Sequence, residues 1–165
     1  MGGDSSADGE GAPRPPGDVA TIRDVLAGAA RALVTELDAH ACTISRSIGD
    51  LLVDLIDYSK EGKGVQVGHG YLISDYPLTR EVLERLEPRT VCLQEPPFDE
   101  HEAQLLRTLG FDSLLMLALE TNGQAWGLVE VYDSGRKAFT DAEIDAAQRI
   151  VAEAGVALTR LVGPA

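Results

Sequence analysis

The residue whose setting is most unusual for its chemistry is Glu130, a carboxylate between Val129 and Val131 with Tyr132 two positions on. In a strand, the period of two places Leu128, Glu130 and Tyr132 on one face. A carboxylate buried alone is costly. Glu130 therefore needs a solvent-filled cavity, a hydrogen-bonding neighbour such as Tyr132, or a cationic ligand. The plainer alternative is an exposed carboxylate on an uncovered strand face. Cys42 and Cys92 each stand alone in an apolar run and read as reduced core thiols. His40, His69 and His101 are far apart, and no His, Cys and carboxylate set has metal-ligand spacing. Gly-x-Ser-x-Gly does not occur, and the glycines from Gly62 to Gly70 fit no phosphate cradle ahead of a helix. Glu81, Glu84 and Glu87 read as a solvated helix face. These features argue against an enzyme.

The 165 residues carry 27 Asp plus Glu against 14 Lys plus Arg, a formal net charge of -13. Such a surface repels phosphate backbones and anionic headgroups, so neither nucleic acid nor membrane is an expected partner. No apolar stretch spans a bilayer, and the N-terminus is acidic and rich in Gly and Pro, so a cytoplasmic location is expected. Residues 1–17 lack large apolar side chains and read as a disordered tail. Residues 18–162 read as one domain, and 163–165 as a short C-terminal tail.

The elements that must position Glu130 follow from spacing. Asp18 is placed to cap a helix running to about His40, with Val19, Ile22, Leu26, Ala29, Leu33 and Leu37 as its apolar stripe. Two strands, Cys42 to Ile48 and Leu51 to Tyr58, meet at Gly49-Asp50. The second carries apolar groups on both of its faces, which predicts cover on both sides. A glycine loop from Lys60 to Gly70 and a short strand at Tyr71 to Ser74 come next. Pro77 starts a helix through Leu86, and Thr90 to Gln94 forms a short strand. Asp99 caps a helix from Glu100 to Leu109 that Gly110 ends. Ser113 to Thr121 and Gln124 to Asp133 flank Asn122-Gly123, a type I′ turn pair, and are the central strands. Thr140 with Glu143 makes a capping box, and Phe139 with Ile144 a hydrophobic staple, at the start of the last helix. There Ile144, Ala147, Val151, Ala154, Leu158 and Leu161 keep a three-four spacing that reads as a coiled-coil seam between two copies.

This order of elements resembles the GAF domain over Val19 to Leu161. The resemblance is carried by Gly110-Phe111-Asp112-Ser113-Leu114-Leu115-Met116, by Asn122-Gly123-Gln124-Ala125-Trp126-Gly127-Leu128-Val129, and by Phe139-Thr140-Asp141-Ala142-Glu143. It implies an α+β, profilin-like fold. The N- and C-terminal helices pack on one face of a central antiparallel sheet, and helix-loop segments cover the other. The positions similar to the family's pocket-lining ones are Asp75, Tyr76, Pro77, Glu102, Leu114, Met116, Leu128, Glu130 and Tyr132.

What the resemblance implies is a sensory module of a bacterial signal-transduction system. It would bind an unidentified small molecule and signal through a dimeric helical bundle to an output domain or a partner kinase or cyclase. The cofactor is left open. Cyclic-nucleotide-binding members resemble one another in an Asn-Lys pair where Tyr132-Asp133 stands here, so that ligand is disfavoured. Phytochrome-like members share the flavour of Ser74-Asp75-Tyr76-Pro77 and Trp126-Gly127-Leu128. Their tetrapyrrole histidine falls at Glu102, however, and neither cysteine lies at a usual attachment position, so a bilin is disfavoured. Haem would require His69 or His101 as an axial ligand and is disfavoured too. The family's methionine sulfoxide reductases use a cysteine relay for which Cys42 and Cys92 are too few and wrongly placed. The competing non-enzymatic reading is a ligand-free scaffold whose pocket is filled by Leu114, Met116 and Tyr132.

Overall fold

The computed structural model describes residues 20–62, 70–135 and 138–164. The N-terminal tail, Asp18, Val19, His69 and most of the glycine loop lie outside them. Helix α1 (Ile22–Glu36) is capped by Thr21, whose hydroxyl accepts from Asp24 N while the Asp24 carboxylate accepts from Thr21 N. It stops short of His40 because Leu37 is its C-cap and Asp38 takes a left-handed φ of 49°. Strands β1 (Ala41–Ile48) and β2 (Leu51–Ser59) form the expected hairpin. The predicted strand at Tyr71 to Ser74 is shorter: β3 is Gly70–Leu72, and Ile73–Asp75 is a 3-10 turn leading into α2 (Pro77–Arg85). After α2 come β4 (Arg89–Cys92), α3 (Glu100–Leu109), β5 (Ser113–Thr121), β6 (Gln124–Asp133) and α4 (Asp141–Val162).

The six strands form one antiparallel sheet in the order β3-β2-β1-β6-β5-β4. Helices α1 and α4 cover one face, where Leu26, Leu33, Val151 and Leu158 bury against Ile44, Leu117, Val129 and Val131. Helices α2 and α3 cover the other, where Val82 and Leu106 pack with Leu114, Met116 and Leu128. This is the α+β arrangement that the resemblance implies. His40 Nδ1 lies 2.5 Å from Asp133 Oδ1 and ties the end of β6 to the connection between α1 and β1.

Two expectations need correction. Strand β2 is not covered on both sides, since Leu51 and Leu55 are exposed. The reason is a bulge: Ile44 pairs with Ile56 and Ser45 with Asp54, so Leu55 is an extra residue that interrupts the alternation. The second concerns the spacing on α4. Ala147, Val151, Ala154 and Leu158 are buried within the chain, against α1 and the sheet, with Ile144 and Leu161 only partly exposed. A helix that must cover both a sheet and a second helix uses the same three-four spacing as a coiled-coil seam, so these side chains do not present a free dimer face.

Candidate functional site

The floor of the site is the face of β1, β2 and β6 turned towards α2 and α3. Antiparallel register sets Thr43 opposite Glu130, and Met116 opposite Glu130 on its other flank. The β2 bulge has its consequence here: Leu52 and Asp54 share the face that lines the site, while Ile56, beyond the extra Leu55, enters the core under α1. Tyr71 from β3, Tyr76 at the N-cap of α2, Thr79 from α2, and Glu102 and Leu105 from α3 close the site from above. Leu52, Leu128 and Tyr132 complete the walls around a cavity of about 20 Å³.

Three carboxylates line this space. Tyr132 Oη donates to Glu130 Oε2 at 3.0 Å. Thr79 Oγ1 donates to Glu102 Oε1 at 2.5 Å, and Ser45 Oγ donates to Asp54 Oδ1 at 2.5 Å. Burial, reinforced by the charges of Glu102 and Asp54 and only partly offset by the Tyr132 hydrogen bond, pushes the Glu130 carboxyl up to about 8. Burial also raises Glu102, against the pull of its bond from Thr79. Tyr71, Tyr76 and Tyr132 are raised by burial first and then by the neighbouring acids, so all three remain neutral phenols. The result is a partly open, acid-lined space with hydroxyl groups around it.

Of the nine residues expected to line a pocket, the structure brings together Tyr76, Glu102, Leu128, Glu130 and Tyr132. Asp75 and Pro77 are exposed and sit outside the cavity. Leu114 and Met116 lie on the correct sheet face but are consumed as core under α2 and α3, with Met116 Sδ accepting from Thr79 Oγ1 at 3.7 Å. Sequence reasoning missed Thr43, Asp54, Tyr71 and Thr79. Thr43 meets Glu130 only through the long-range pairing of β1 with β6, which spacing does not announce; Asp54 shares the alternation of Leu52, ahead of the bulge. Cys42 and Cys92 are buried apart from the cavity, and burial raises the Cys42 thiol. His101 is exposed at the start of α3. A wider open groove of about 470 Å³ runs between α4 and β5, lined by Ala118, Ala152 and Val156 among others, but Glu120 is the one charged group in it.

The model of the GAF domain family matches residues 21–158. The chain belongs to the GAF domain family. No match among curated proteins was found. Solved structures of similar fold include the phycocyanobilin-bound GAF domain of a cyanobacterial phytochrome, at 19% identity and a TM-score of 0.76, covering 86% of each chain. The phycoerythrobilin-bound GAF domain of a cyanobacterial phytochrome matches at 17% identity and 0.75, covering 86% of this chain and 88% of that one. A far-red absorbing dark state with bound biliverdin IXa matches at 17% and 0.74, covering 88% and 93%. These GAF structures correct one expectation. The bilin class, set aside because Glu102 stands where a histidine was awaited, is the class to which these similar folds belong. A pocket built by a whole sheet face and its cover is not defined by one ring position, so Glu102 does not exclude it.

Proposed function

We propose that this GAF domain is a sensory module: it takes a small molecule into the cavity beneath α2 and α3 and reports occupancy through α1 and α4. The observation that carries the reading is three carboxylates and three tyrosines converging on one small, partly open space. Core packing does not require such groups; hydrogen bonds from Tyr132, Thr79 and Ser45 offset part of the cost of burying them and hold them in place. Transmission has a short route. In β1 and β6, Thr43 and Glu130 face the cavity while their neighbours Ile44 and Val131 face the core under α1 and α4. A shift of these strands therefore reaches both helices. The rest of the proposal is a non-catalytic, cytoplasmic, homodimeric module of a bacterial signalling system, coupled to an output domain or a partner kinase or cyclase. The raised Cys42 thiol supports the non-catalytic part, because a thiol held protonated is a poor nucleophile.

A second reading, a ligand-free interaction scaffold, has one observation in its favour: Leu114 and Met116 already fill part of the face, leaving about 20 Å³. Thermal unfolding across a panel of small amines, carboxylates, nucleotides, biliverdin and phycocyanobilin separates the two. A sensor gains stability with one class, by about 2.7 kcal/mol at a hundredfold excess over Kd, and Leu128→Trp, which fills the cavity, cancels the gain. A flat response to the whole panel leaves the scaffold standing.

A further inference from the structure

We infer that two copies of this chain meet through α4 laid antiparallel on α4, with Asp145 of each copy facing Arg160 of the other. The inference rests on the homodimeric part of the reading above and supplies the surface and its direction. The chain as a whole carries a charge of -13, so two copies repel wherever their acidic faces approach. The outer side of α4 from Asp145 onward is balanced instead. Its exposed charges are Asp145, Arg149, Glu153 and Arg160, two of each sign. Among the described residues none of the four makes a hydrogen bond or an ion pair within the chain. Between them stand Ala152 and Val156, both exposed.

The order of signs decides the direction. At about 100° per residue, Asp145, Ala152 and Val156 fall within about 20° of one line along the helix. Arg149, Glu153 and Arg160 lie on one flank of that line, and Gln148 and Thr159 on the other. In a parallel pair each flank meets the opposite flank of the second helix, so the arginines would face Gln148 and Thr159 while Asp145 met its own copy. In an antiparallel pair like flanks meet. With the two-fold axis between Ala152 and Glu153, Asp145 and Arg160 stand equally far from it, about 11 Å to either side. Each Asp145 then comes level with the other copy's Arg160, and Arg149 comes within a turn of the other copy's Glu153. Val156 lies over the other copy's Gln148 and Ala152, which line the groove between α4 and β5. Exposed ion pairs add little affinity, so these set the direction while the apolar contact at the axis holds the copies together. Added salt screens the long-range repulsion between the two copies more than it screens pairs in contact.

Cysteine cross-linking of the whole chain tests the direction. Cys42 and Cys92 are buried, so the oxidised wild type supplies the background. Ala152→Cys, beside the axis, should form a disulfide-linked dimer on mild oxidation. Val156→Cys, about 10 Å along the axis from its own copy, should not. A mixture of Asp145→Cys and Arg160→Cys proteins should link one to the other and neither to itself. Sedimentation equilibrium supplies a second measurement that needs no cysteine. Arg160→Asp should weaken the dimer about tenfold, and adding Asp145→Arg to it should bring affinity back to within about threefold of the wild type. Self-linking of both Asp145→Cys and Val156→Cys overturns the antiparallel direction and leaves the homodimer standing. A double reversal that recovers nothing overturns the Asp145 and Arg160 pairing. A dimer that no α4 cysteine links overturns the surface, and a wild type that stays monomeric overturns both the surface and the homodimer.

Discussion

Glu130 prefers its proton in the folded chain because burial and two neighbouring acids oppose ionisation more than the Tyr132 hydroxyl supports it. The sign of the pH dependence follows. The unfolded carboxyl releases its proton near 4.5 and the folded one near 8, so between those values the folded state binds the extra proton and stability falls as pH rises. Melting curves should show the wild type losing several degrees between pH 5 and 8.5, and Glu130→Gln losing about 3 °C less. Parallel pH profiles for the two proteins would refute this account. Thr79 is the complementary case. Its hydroxyl and its backbone both hydrogen-bond buried Glu102, so Thr79→Val keeps the shape and removes one of the two donors, at a cost of about 1 kcal/mol by urea denaturation. Pairing Thr79→Val with Glu102→Leu should return part of that loss, because an apolar pair leaves neither side chain unsatisfied.

At the scale of elements, the close seat of α4 on the sheet depends on Gly155, where an added Cβ would come within 2.6 Å of the Glu120 carbonyl oxygen. The obstacle is backbone and not the end of a flexible side chain, so Gly155→Ala lifts α4 from β5. The expected cost is about 1 to 3 kcal/mol, read as a lowered urea midpoint with an unchanged far-ultraviolet spectrum. Neither this approach nor the β2 bulge was legible in the sequence, whereas most elements were. Where a turn or cap is a local chemical event, spacing placed it: Asn122-Gly123 turns β5 into β6, Asp99 caps α3, and Thr140 with Glu143 opens α4. Where the outcome depends on what lies across the sheet, spacing failed. Leu114 and Met116 have the alternation of pocket residues, but the helices above them decide that they are core. Ile56 has the alternation of Leu52 and Asp54 and leaves it only because Leu55 is extra. Glu130 was found for the opposite reason: a carboxylate between two valines advertises its problem without any neighbour being known.

For the molecule as a whole, the outstanding question is how two copies would meet. A net charge of -13 opposes close approach except where apolar surface overcomes it. The three-four spacing of α4 cannot serve, because Leu158 and Ala147 are buried and Val151 and Ala154 nearly so; charging one of them attacks the fold itself. What α4 leaves outside is Val156, 56% exposed, and Val162 near its end. If the proposed dimer uses α4, its contact runs through that outer face, and the two kinds of position should separate in one experiment. By light scattering and circular dichroism, Leu158→Asp should unfold the chain, while Val156→Glu should keep the native spectrum and halve the mass. A Val156→Glu protein that stays dimeric would move the contact off α4 altogether. Raising the salt concentration should strengthen the proposed dimer, since screening at a Debye length of about 8 Å removes repulsion that the small apolar face would otherwise have to overcome.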